Sequence, residues 1–133
     1  MSHTILNPSE LHDPTAFGYS HTASIPAGTG LVFVAGQYGS RSDGTVVSEV
    51  FADQVEQAFG NLGLALAAHG LELSHVVQLR TYVLNLGFEE LGALGKAIQA
   101  RWGATPPTQT LIGVAGLAMP EMRFEVEAVA ARP

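Results

Sequence analysis

The 133-residue sequence contains no cysteine. Disulfides, a thiolate nucleophile and Cys-ligated zinc or iron–sulfur centres are therefore excluded. Charge is scarce as well: 14% of residues are charged, against about 25% in typical soluble domains. Such a shortage points to surface that does not face water, most simply an oligomer interface. Basic residues are the scarcest of all, 6 against 12 acidic ones, for a formal net charge of −6. A phosphate backbone would be repelled, so no nucleic-acid partner is expected. The most apolar stretch, Leu62 to Ala68, is too short to span a bilayer and contains Gly63, so no membrane partner is expected either. Met1 to Asn7 carries no basic n-region and no long apolar run. No signal peptide is expected, and the location expected is cytoplasmic. Linkers, repeats and low-complexity segments are missing too, which predicts one domain over residues 1–133.

Hydrophobic residues make up 47% of the chain, enough for a sizeable core. Their periodicity predicts alternating elements. Ser20 to Pro26 reads as a short strand. Ala27-Gly28-Thr29-Gly30 then reads as a hairpin turn rather than a dinucleotide loop, since the third glycine and following helix of that fingerprint are missing. Leu31 to Ala35 is a continuous apolar run, predicted to be a strand buried on both faces. Ser48 is the predicted N-cap of a helix, with Glu49 in its first turn. That helix buries Phe51, Val55, Ala58, Phe59, Leu62 and Leu66 and stops at Gly70, with His69 capping its C-terminal end. His75 to Leu84 reads as a strand. Phe88, Leu91, Leu94, Ile98 and Trp102 mark the apolar face of a second helix, stopped by Gly103 and Pro106-Pro107. Thr108 to Gly116 and Arg123 to Ala130 complete the set as strands.

The predicted order is β-β-α-β-α-β-β, an α+β fold with two helices packed on one face of a mixed sheet. Two helices cover only one face of such a sheet, and its other face needs a partner subunit. Self-association follows.

Motifs with a built-in mechanism are few. The sequence has no nucleophile elbow, no phosphate-binding lysine loop and no His-Glu-x-x-His. His3, His12, His21, His69 and His75 show no metal-ligand spacing, so neither metal nor cofactor is expected. Glu125 and Glu127, at i and i+2 on a strand, project to one face together with Arg123. One reading is a solvated edge with Arg123 paired to Glu127; the other is a carboxylate in a cleft, handling a proton on water or substrate. Trp102 and Tyr82 suit core packing better than a cofactor platform.

Five segments, in order, resemble the RidA (YjgF) family across nearly the whole chain. They are Phe17-Gly18-Tyr19-Ser20-His21-Thr22-Ala23; Phe33-Val34-Ala35-Gly36-Gln37; Gln54, Gln57, Asn61-Leu62 and Gly70 on the first helix; Pro107-Thr108-Gln109-Thr110; and Phe124-Glu125-Val126-Glu127-Ala128-Val129-Ala130. The resemblance implies a chorismate-mutase-like subunit and a homotrimer with small-molecule clefts between subunits. It also implies hydrolysis of reactive imines or their enamine tautomers, with release of ammonia. By the same resemblance Glu125 places the attacking water and Tyr19 lines the cleft. Ala35 and Gly36 let the backbone approach the ligand, and Gln109 with the amide of Thr110 binds it. Gln109 stands where deaminating members carry an arginine that grips a carboxylate, so the 2-imino acid substrate is not carried over. Two functions are therefore expected to compete: hydrolysis of a differently anchored imine, enamine or related metabolite, and non-catalytic binding of a metabolite or regulator in the same cleft. Arg123 is the competing candidate for the missing anchor.

Overall fold

The structure, a computed structural model, describes residues 3–133. Met1 and Ser2, the start of the segment read for a leader, lie outside the described residues. Ten elements follow one another: β1 (Thr4–Leu6), a 3-10 turn (Thr15–Phe17), β2 (Thr22–Ser24), β3 (Leu31–Tyr38), α1 (Phe51–Ala67), a second 3-10 turn (Leu73–His75), β4 (Val76–Leu84), α2 (Phe88–Trp102), β5 (Thr108–Val114) and β6 (Phe124–Ala131). The α+β plan and the two helices on one sheet are as predicted, with Thr4–Leu6 as an additional strand. Four strands form the mixed sheet in the order β3-β6-β4-β5, with β4 and β5 parallel and the other neighbours antiparallel.

The Gly28 turn forms, with a left-handed φ of 82° and a Thr29 N–H bond to the Pro26 carbonyl (3.3 Å), but it does not close a hairpin. β2 pairs with β1 instead. Side chains set that choice: the Thr22 hydroxyl donates to the Leu6 carbonyl, and Asn7 Oδ1 accepts the His21 amide at 2.6 Å.

The core lies between the helices and the inner sheet face. Phe59, Leu62, Leu66, Leu79, Val83, Phe124 and Val126 are fully buried there. Phe59 stands edge-on to Trp102 at 5.7 Å, and the Trp102 indole donates to the Leu73 carbonyl at 2.9 Å, so Trp102 is a packing residue.

Three local expectations are corrected. Helix α1 starts at Phe51 with Val50 as N-cap and Asp53 as its first-turn acid. Ser48 lies upstream, where its Oγ accepts the Val50 amide at 3.0 Å; Glu49 is outside the helix. At the other end, backbone alone closes the helix. Gly70 turns left-handed (φ 71°) and the Leu71 amide reaches back to the Leu66 carbonyl at 3.1 Å, so His69 is not the cap. On α2 only Leu94, Ala97 and Ile98 are buried; Phe88, its first residue, is 95% exposed at the mouth of a groove between α1 and α2.

β3 alternates. Val32 and Val34 are buried beneath α1, whereas Leu31 and Phe33 point to the other face, Phe33 with 74% exposure. Both faces of this strand are apolar, yet a single chain covers only one.

Candidate functional site

The N-terminal segment is strapped to the start of β5. The Ser20 amide donates to the Pro107 carbonyl (3.0 Å), the Ser20 hydroxyl to the Pro106 carbonyl (2.6 Å), and Ser20 bridges to Thr108. This strap brings Tyr19 and His21 beside Thr108, Gln109 and Thr110 around an open cleft of about 670 Å³. No Asp, Glu, Lys or Arg lines it. Gln109 is held at both ends of its amide: its Oε1 accepts from the Thr81 hydroxyl at 3.0 Å, and its Nε2 donates to the Gly18 carbonyl at 3.2 Å. Thr110 has the opposite parity and faces the outer side of the sheet beside Arg80.

Glu125, Gly36 and Ala35 come together elsewhere. Val34 pairs with Ala128 and Gln37 with Val126, so Ala35 and Gly36 together oppose Glu127 in a β-bulge. The bulge lays Gly36 against the Glu125 carboxylate, whose Cδ would stand 2.7 Å from a Cβ at position 36. Glu125 has no hydrogen bond or ion pair among the described residues, whereas Glu127 accepts the Tyr82 phenol. That carboxylate, with partial burial second, raises the Tyr82 pKa above its ordinary 10.0.

Arg123 does not pair with Glu127. It precedes β6 and turns toward the helices, 3.5 Å from Glu90, over the Phe51 ring (5.5 Å) and donating to the Glu49 carbonyl. The first turn of α2 attracts it more strongly than a strand neighbour, because Glu90 is largely enclosed there. Arg80 is the arginine on the outer face, opposite Glu127 and Thr110 in register.

Within one chain the two groups stay apart. Thr108, Gln78 and Val129 share one row of the sheet, while Tyr82 and Glu125 share another, four residues further along. Two strand spacings and four residues separate Thr108 from Glu125 by about 16 Å. Tyr19, Gln109 and Thr110 thus form one group, and Glu125, Gly36 and Ala35 a second, separate one.

Sequence reasoning missed His12. Its Nε2 lies 2.6 Å from the Tyr19 hydroxyl, and its carbonyl accepts from His21 Nε2 at 2.8 Å. The Asp13-Pro14-Thr15 turn, with Asp13 Oδ1 accepting from both the amide and the hydroxyl of Thr15, was the available signal that the chain doubles back here. Among the described residues no cluster of three or more His, Asp or Glu is arranged to hold a metal ion, and no helix is long and apolar enough to cross a membrane.

The sequence pattern of the family described as Endoribonuclease L-PSP matches residues 11–132, which takes in every residue of both groups. The chain belongs to this family. It is 34% identical to the RutC family protein YjgH of Escherichia coli over 118 residues, 86% of this chain and 85% of that one. It is 30% identical to the 2-iminobutanoate/2-iminopropanoate deaminase of Rattus norvegicus, covering 88% and 82%. A crystal structure from Yersinia pestis, of the Rid family protein YyfB of unknown function, superposes with a TM-score of 0.92 at 32% identity, over 99% of this chain and 100% of that one. The RidA (YjgF) resemblance is therefore membership. In this Rid family chain the neutral amide of Gln109 joins β4, β5 and the N-terminal loop.

Proposed function

We propose that the protein hydrolyses a small imine or enamine in clefts between the subunits of a homotrimer. The observation that carries this reading is the Glu125 carboxylate, unpaired among the described residues and resting on Gly36, with Thr108 of the Tyr19–Gln109 cleft about 16 Å away. Only a neighbouring copy can close that distance. The uncovered outer face, with Phe33 74% exposed and Leu31 beside it, gives such a neighbour an apolar surface to bury.

In the completed site Glu125 takes a proton from water as the oxygen attacks the C=N carbon. The π electrons move to nitrogen, and Glu125 passes it the proton, giving a neutral carbinolamine. Glu125 then carries the hydroxyl proton to the same nitrogen, so that the C–N bond breaks, ammonia leaves, the C=O bond forms and the carboxylate is regenerated. Tyr19 contacts the ligand and the Thr110 amide binds a substrate oxygen. The rat relative's name supports this reaction class.

The test is ammonia release from imines generated freshly by an amino-acid oxidase, with the buffer reaction as baseline. Acceleration by wild type that disappears in Glu125→Gln, while light scattering still reports a trimer, supports the reading. A rate equal to buffer for every imine sinks it. The engaged amide of Gln109 favours a second reading, a non-catalytic binder of small metabolites. Saturable ligand binding without turnover distinguishes it. The family's description also names endoribonuclease chemistry. A net charge of −6 with 6 basic residues argues against tight RNA binding at physiological salt, and sub-micromolar, salt-sensitive RNA binding would overturn that expectation.

A further inference from the structure

We propose that His12 is a positioning residue that sets the direction of the Tyr19 hydroxyl, and so decides whether the cleft offers its ligand a donor or an acceptor. This rests on the reading above in one respect, that Tyr19 contacts the ligand. The geometry itself is independent of it. His12 Nε2 is 2.6 Å from the Tyr19 hydroxyl, with the two rings 6.1 Å apart at 64°. The imidazole is held in place: His21 stands edge-on at 4.9 Å and Phe17 edge-on at 6.0 Å. Its backbone is pinned by the His21 Nε2 bond and by the Asp13–Thr15 turn. Tyr19 and His21 line the cleft, while His12 lies behind Tyr19 and is exposed to solvent, from which it can gain or lose a proton.

A phenol has one proton to place. When His12 Nε2 carries none, it accepts the Tyr19 proton, and the phenol shows the cleft only lone pairs. Tyr19 then suits a ligand N–H, as on an enamine, iminium or ammonium group. When Nε2 is protonated, it donates to the Tyr19 oxygen, and the phenol's own proton is free to turn into the cleft. Tyr19 then suits a carbonyl or carboxylate oxygen. One residue pair thereby serves both ends of an imine-to-carbonyl conversion, in which an N–H ligand enters and an oxygen ligand leaves. The ionisable groups facing His12 are Tyr19, His21 and Asp13, of whose carboxylate Thr15 occupies one oxygen, Oδ1.

Two measurements on the full chain test this. The first is a 15N NMR titration of the His12 imidazole in wild type and Tyr19→Phe. The expected result is a changed tautomer balance of the imidazole in the variant; an identical balance overturns the coupling whatever the protein's activity. The second uses pyruvate, an acceptor-only probe, titrated at pH 5.5 and pH 8. Wild type should bind it about tenfold tighter at the lower pH, the worth of one hydrogen bond to a charged or polarised group. His12→Gln and Tyr19→Phe should both be flat within about twofold. A pH dependence that survives in Tyr19→Phe means the histidines act by charge alone and overturns the proposal. Absence of pyruvate binding at both pH values removes Tyr19 as a contact for an acceptor ligand and overturns the proposal, whereas the reading it rests on is decided separately by the ammonia-release assay.

Discussion

The Glu125 carboxylate rests against the bare Cα of Gly36, so closely that a Cβ there would stand 3.0 Å from Cγ and 2.7 Å from Cδ of the glutamate. The bulge at Ala35–Gly36 creates this approach, and only the lack of a side chain at position 36 permits it. The obstacle to a larger residue is the end of a flexible side chain rather than backbone. Gly36→Ala should therefore swing Glu125 away without unfolding the protein. The expected result is a loss of imine hydrolysis of at least about tenfold, with a denaturation midpoint close to wild type. Unchanged turnover in a folded Gly36→Ala would show that the position of Glu125 does not matter.

Gln54 presents the opposite case, a polar side chain whose work is structural. It is fully buried on α1. Its Nε2 donates to the carbonyls of Ser48 (2.9 Å) and Glu121 (3.0 Å), and its Oε1 accepts the Arg123 amide at 2.8 Å. One side chain thereby fixes both the entry to α1 and the entry to β6. Gln54→Met keeps the volume and leaves three backbone groups without partners, a cost of about 3 kcal/mol. Equilibrium denaturation should show the midpoint falling with an unchanged slope.

Tyr82 and Glu127 give a pH prediction. The carboxylate holds the phenol proton, so Tyr82 ionises above its ordinary 10.0. A pKa raised by folding contributes stability that is fully present below the unfolded value and fades as pH rises through the folded one. Ultraviolet titration of the chain's three tyrosines should show Tyr82 as one that ionises late, and Glu127→Gln should bring it back toward the ordinary value. If Glu127→Gln leaves the phenol titration unchanged, the bond does not exist in solution.

Much of the fold was legible from period alone. The apolar spacing from Phe51 to Leu66 and the alternation from Phe124 to Ala128 need only local geometry to be read, and both elements lie where expected. Phe88 misled because helical parity says which face a residue is on, not whether another element covers it there. The strand at Thr4–Leu6 was missed because three residues carry too little pattern, and its pairing depends on Thr22 and Asn7, distant in sequence. Arg123 was misassigned for a related reason: its partner Glu90 lies in another element, and only the packing of α2 against the sheet brings the two together. The site residues were legible as types but not as a site, since Tyr19 lies on a loop strapped to the start of β5 and Glu125 four residues further along the sheet on β6.

Gln109 tests whether the cleft can be given a carboxylate anchor. Gln109→Arg supplies a guanidinium fork but forfeits the bonds to the Thr81 hydroxyl and the Gly18 carbonyl. Thr81 is fully buried, so its hydroxyl would be left unsatisfied at a cost of about 1–3 kcal/mol. The expected variant is less stable and binds pyruvate about 10- to 100-fold more tightly than wild type. Arg123→Ala, remote from the cleft, should leave pyruvate affinity unchanged. A loss of affinity there would mean that the anchor had been sought in the wrong place.

Assembly can be tested through the chemistry itself. If each site takes Tyr19 from one subunit and Glu125 from its neighbour, then Tyr19→Phe and Glu125→Gln each inactivate every site in a pure trimer. Mixing the two inactive proteins changes this. A site is whole again when its tyrosine comes from the Glu125→Gln chain and its glutamate from the Tyr19→Phe chain. In randomly reassembled trimers about a quarter of the sites meet both conditions. Denaturing the two variants together and refolding them should therefore recover about a quarter of wild-type turnover, while mixing without exchange should recover none. Sites built within one chain would give no recovery under either protocol, because every chain in the mixture lacks one of the two groups. The roughly 16 Å between Thr108 and Glu125, about five residues of extended strand, is the reason to expect recovery.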